Sequence, residues 1–275
     1  MFGFSIFKSI LGRISSMQLL RLAVIALFLT VAILPIQAQI DKGMILYFDF
    51  DKADGKTIPN AAGATHGKMN DKAKLTPKGR YGGGLDSQDK DSIVSVESFP
   101  ALEKYQDNSY LFWINFTKGT NGAWSQVIAK KAPGSDRSPG IWICPDTLNL
   151  HWRFNPGNKG CDRCGPKGEN DKFALNKWYH VAGVKKGTDL HYFVDGKEVA
   201  KKTGQPGKHA QGKEKLYIGK TGYSSATFLL DELVIYDRAV TAAEINKVKD
   251  GQLATAVDPQ SKLAAKWGAV KEGSY

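Results

Sequence analysis

The 275-residue chain holds only three cysteines, Cys144, Cys161 and Cys164, and none of the patterns that make so few thiols catalytic. "CDRC" (161–164) sits between Gly160 and Gly165 instead of opening a helix after a strand, which argues against a thioredoxin-like redox pair. Gly165 stands where a haem-attachment motif needs histidine. Three cysteines with His151 match no familiar zinc spacing. A Gly-x-Ser-x-Gly elbow and a glycine-rich phosphate loop are both missing. So are internal repeats, low-complexity tracts, and any basic helix or recognised nucleic-acid motif, which excludes nucleic acid as the expected partner. No apolar run reaches the roughly 20 residues that a helix needs to span a bilayer.

The longest such run instead reads as an export signal. Met1–Arg21 carries Lys8, Arg13 and Arg21 without an acidic residue, Leu22–Leu34 is apolar except for Thr30, and Ala38 supplies a small residue for cleavage. The expected organisation is a signal peptide at 1–38, one domain at 39–252 and a tail at 253–275, with Leu263 and Trp267 spaced to dock. The processed protein is then extracellular or periplasmic and free of the membrane. In that oxidising setting two cysteines are expected to bridge, Cys161 with Cys164 for preference and Cys144 with either as the alternative. A net charge of +11 comes from dispersed lysines, which suits a solvated surface or attraction to acidic polymers.

What the sequence does have is alternation. In "MILYFDF" (44–50) Leu46, Phe48 and Phe50 share one face and Tyr47 and Asp49 the other. In "TLNLHWRF" (147–154) Leu148, Leu150, Trp152 and Phe154 point one way, Asn149, His151 and Arg153 the other. "KWYHVAGV" (177–184) is apolar on both faces, as a central strand should be. Roughly a dozen short runs of β-branched and aromatic residues predict an all-β fold of two antiparallel sheets. Asp195-Gly196, between "HYFV" and "KEVA", predicts a two-residue hairpin, because the pair tolerates positive φ at both central positions. Thr241, Glu244 and Gly251 mark the start and end of one short surface helix near the C-terminus, over 242–250.

The order of these segments resembles the laminin G-like jelly roll of the concanavalin A-like lectin and glucanase superfamily. The resemblance rests on "RYGGGLDSQDKDSIVSV", on Trp178, His180, Val181 and Ala182 leading into a Val-Asp-Gly hairpin, and on "DELVIYDRAVTAAEI", and it covers about residues 44–250. It implies a two-sheet sandwich that binds glycans or extracellular proteins, often with calcium, and in some branches hydrolyses polysaccharides. Fold alone does not choose among these activities. The hydrolase branch carries Glu-x-Asp-x-x-Glu on a strand; the nearest run here, Glu169-Asn170-Asp171, lies in a polar stretch and continues to Ala174. The expectation is therefore a non-catalytic module, most simply a lectin-like one. Asn149, His151 and Arg153 would offer polar groups to a sugar and Trp124 a stacking platform. Asp49 and Asp231 stand where related jelly rolls share a structural calcium. A protein-binding adhesion module is the alternative, and a divergent glycoside hydrolase the second.

Overall fold

The computed structural model describes residues 41–131, 137–155, 158–162, 173–208 and 213–253; the expected signal segment, Cys164, Glu169, Asp171 and nearly all of the tail lie outside them. All elements below belong to the unit that begins at Gly43. The chain enters at β1 (Met44–Phe48) and makes the short strands β2 (Thr57–Ile58), β3 (Gly67–Met69), β4 (Lys74–Thr76), β5 (Gly84–Ser87) and β6 (Ile93–Val96). A one-turn helix, α1 (Pro100–Lys104), precedes the long strand β7 (Asn108–Phe116). Next come β8 (Ser125–Lys130), β9 (Gly140–Ile143), β10 (Leu150–Phe154) and β11 (Lys159–Asp162). β12 (Trp178–Lys186), β13 (Asp189–Val194), β14 (Lys197–Lys202), β15 (Leu216–Gly219), β16 (Phe228–Tyr236) and the helix α2 (Ala242–Lys249) complete the series.

These strands form two eight-stranded antiparallel sheets. In sheet A the order is β14-β13-β12-β7-β16-β5-β4, and β1 also pairs with β16. In sheet B it is β11-β10-β9-β8-β15-β6-β3-β2. The fold is thus the expected two-sheet jelly roll with a short C-terminal helix. β16 changes partner along its length: Phe228–Leu230 pair with β5, and Leu233–Tyr236 pair with β1. The change falls on a register shift between Asp231 and Val234, where Glu232 takes a positive φ of 53°.

The alternating residues meet between the sheets. Leu46, Phe48, Phe50, Leu150, Trp152 and Phe154 all join one core cluster. Trp152 of sheet B lies 6.3 Å from the ring of Phe112 in a stacked arrangement and meets Tyr110 and Tyr192 edge-on. Gly183 makes room for that indole, since a Cβ there would come within 2.4 Å of it. The Asp195-Gly196 turn has φ of 51° and 79° and joins β13 to β14 with Val194 opposite Lys197, as a two-residue hairpin requires. Thr241 and Glu244 form a reciprocal capping box on α2, and Ile245 and Val248 turn inward.

Two features differ from expectation. Cys144 is disulfide-bonded, whereas Cys161 is a buried thiol, so the preferred Cys161–Cys164 pairing gives way to one that involves Cys144. The reason is register: β11 sets Cys161 opposite Trp152 and its side chain joins the core. Lys185 is also internal, with its ammonium donating to the carbonyls of Gln106 (3.0 Å), Gly187 (2.9 Å) and Gly207 (3.4 Å). That satisfies all three of its N–H donors.

Candidate functional site

On the outer face of sheet B the core alternation is reversed: where Ile141 and Ile143 face in, Trp142 faces out. Pairing of β9 with β10 sets Trp142 beside His151, with ring centroids 5.8 Å apart. Trp124, immediately before β8, closes on the other side of His151 at 4.6 Å. Tyr223 meets Trp142 edge-on at 5.7 Å, and the Arg137 guanidinium lies over the same indole at 5.4 Å. The result is a row of four rings, Trp124, His151, Trp142 and Tyr223, with the Arg137 guanidinium beside it.

Gln126 holds this row in place. Its amide nitrogen donates to the carbonyls of Ile128 (2.9 Å) and Ile141 (2.8 Å), satisfying backbone left open by the irregular register between β8 and β9. Its Oε1 accepts from the Thr221 hydroxyl at 3.0 Å, and its backbone N–H donates to Ser224 at 2.8 Å. The segment carrying Tyr223 is therefore fastened to β8. Trp124 is 37% exposed and Trp142 only 2%, so the row runs from an open platform to a buried one. The indole N–H of Trp142 has no hydrogen-bond partner among the described residues, a rare condition for a buried donor.

Of the four expected ligand contacts, the structure brings two together, Trp124 and His151. Arg153 shares their sheet but is only 9% exposed, between Gly140 and Gly160 in the pairing. Asn149 is not on the row. It is 1% exposed in the turn before β10, where its side-chain oxygen accepts from Leu150 N–H at 3.1 Å and its carbonyl accepts from Cys144 N–H. Trp142, Tyr223 and Arg137 were not singled out by sequence; only the placement of four separate segments side by side reveals them.

Asp231 belongs to sheet A, and Asp49 directly follows β1 of the same sheet. Asp231 is fully buried, and its two oxygens accept from Tyr81 N–H and Glu232 N–H, each at 2.8 Å. Asp49 accepts from Asp51 N–H at 3.1 Å. Among the described residues no group of three or more His, Cys, Asp or Glu is placed to share a metal ion. Calcium needs six to eight converging oxygens, and this donor set, already turned toward backbone N–H groups, does not fit it. The melting temperature is accordingly expected to stay the same, within about a degree, when a calcium chelator is added. A drop of several degrees, reversed by added calcium, would refute this.

Comparisons with known proteins agree with the architecture. The chain matches the binding domain of Paraclostridial Mosquitocidal Protein 1 with a TM-score of 0.61 and 14% identity, covering 78% of this chain and 53% of that one. It spans about half the length of that solved domain. Domain 4 of AbnA, a GH43 extracellular arabinanase from Geobacillus stearothermophilus solved with arabinotriose, matches with a TM-score of 0.57 and 16% identity, over 75% of this chain and 98% of the domain. Trypanosoma rangeli sialidase matches at 0.57 and 17% identity, over 76% of this chain and 33% of the enzyme. These identities speak to fold alone. No curated protein sequence matches. A family model described as the concanavalin A-like lectin/glucanases superfamily matches residues 88–246, which is more than half of the sequence. The chain belongs to the concanavalin A-like lectin/glucanases superfamily.

Proposed function

We propose that the protein is an exported, non-catalytic carbohydrate-binding module whose glycan lies over Trp124, His151 and Tyr223, with the buried Trp142 packed against His151 and Tyr223 as their support. The observation that carries this reading is the row itself. Aromatic faces pack against the C–H faces of sugar rings, while a half-exposed histidine supplies directional contacts to hydroxyls. The Arg137 guanidinium beside it favours a chain that carries carboxylate or sulfate groups. Supporting the same reading, the solved neighbours include two binding domains, and the arabinanase domain was solved with arabinotriose.

Binding to a glycan array, followed by tryptophan-fluorescence titration with the strongest ligand, tests it. Trp124→Ala and His151→Ala are each expected to weaken binding about tenfold or more, since a lost contact of about 1.4 kcal/mol is a factor of ten. Their melting temperatures should remain near that of the parent, because both side chains lie on the outer face. A protein that binds no glycan, or binds with undiminished affinity in both variants, would refute the proposal. Capture of proteins alone would point to the adhesion alternative, and release of reducing sugar to catalysis.

A further inference from the structure

The geometry points to a second part of this site: a blind pocket at the rim that receives the terminal unit of a glycan, so that the protein recognises chain ends rather than chain interiors. This inference rests on the carbohydrate reading above. A cavity of about 280 Å³ lies where β7 ends and β8 and β16 begin. Its apolar wall is Phe116, Ile143 and Leu148, and its polar groups come from Lys118, Asn121 and Thr227. A sugar ring divides in the same way, into a C–H face and a rim of hydroxyls. The volume falls at the lower edge of the roughly 300–1,000 Å³ of drug-sized ligand pockets, which suits one ring and not an oligosaccharide.

Two segments join the pocket to the aromatic row. In the first, Asn121 and Ser125 line the pocket while Trp124 between them belongs to the row. In the second, Tyr223 belongs to the row and Ser225 to the pocket. Backbone bonds hold the two segments side by side, with Ala226 N–H donating to the Gln126 carbonyl at 2.8 Å. The pocket is closed on its inner side. Ser225 there is buried and its hydroxyl lies 3.0 Å from that of Ser87 in sheet A. A chain that crosses Trp124 and turns into this pocket meets the buried Ser225–Ser87 pair at its inner side, which favours a chain end there over a continuing chain.

The experiment uses linear oligosaccharides of two to six units, each printed twice, once tethered through its reducing end and once through its non-reducing end. Binding is expected for one tether orientation, with at least a tenfold loss in the other. Two pocket variants complete the test. Gly119→Leu places a side chain at the pocket, where a Cβ meets nothing within 4 Å. Thr227→Val removes a hydroxyl at nearly constant volume. Both are expected to keep their melting temperature and lose at least tenfold in binding. Equal binding in both orientations, or undiminished binding by both variants, overturns the inference; if Trp124→Ala still loses affinity in that case, the glycan reading stands without it. If the parent protein binds no printed sugar in either orientation, both fall together.

Discussion

Replacing Asp231 with alanine is expected to remove about 3–5 kcal/mol of stability. The magnitude follows from what the carboxylate does where β16 changes partner. It is fully buried and accepts N–H bonds from Tyr81 and Glu232, so its loss strands two buried donors, each costing about 1–3 kcal/mol. The surrounding loop is built to reach it. A Cβ on Gly79 would come within 2.9 Å of the carboxylate and 1.7 Å of the Gly83 carbonyl, so this close approach depends on glycine. Neighbouring residues extend the damage: Glu232 accepts the Tyr47 hydroxyl at 2.6 Å, and the Tyr81 hydroxyl donates to the Lys249 carbonyl at the end of α2. Asp231→Asn keeps one acceptor but turns an N–H group toward another N–H, so it should recover only part of the loss. Urea unfolding measures both variants. An alanine variant within about 1 kcal/mol of the parent would contradict this account.

Acid is expected to weaken the fold through His180, the second large effect. His180 is fully buried with its ring 5.3 Å from Trp113, and neither ring nitrogen has a hydrogen-bond partner among the described residues. Burial, helped by the positive charge of Lys249, pushes its pKa down to about 3 from the ordinary 6.5. The folded state therefore keeps the ring neutral while the unfolded chain takes up a proton below pH 6.5. Stability is whole above that pH and is lost progressively as pH falls from 6.5 toward about 3, by about 2 kcal/mol at pH 5 from this group alone. His180→Leu should flatten that part of the profile, because leucine has no proton to gain. Urea midpoints of parent and variant at pH 7.5, 6 and 5 make the comparison. Parallel profiles would show that His180 is not the source.

The framework was legible because period-2 alternation, turn chemistry and capping are local. Leu150, Trp152 and Phe154 reach the core from a pattern of eight residues, and Asp195-Gly196 and Thr241-Glu244 specify their own geometry. The site was only half legible. Alternation puts His151 on the outer face, but it cannot say that β9 is its neighbour or that Tyr223 folds over β9 from a loop. Trp142 looked like any strand aromatic. Asn149 was misjudged through one boundary: β10 begins at Leu150, so Asn149 is a turn former whose side chain is spent on backbone. Cys161 shows the same limit, since sequence spacing is silent about which side of a strand a thiol takes.

The internal ammonium of Lys185 has a practical consequence. It gathers carbonyls from three separate stretches, those of Gln106, Gly187 and Gly207, as a bound cation would. Being tethered to its own strand, that charge cannot be diluted away or stripped by a competing chelator. This end of the molecule therefore holds its loops together in soft water and in brine alike.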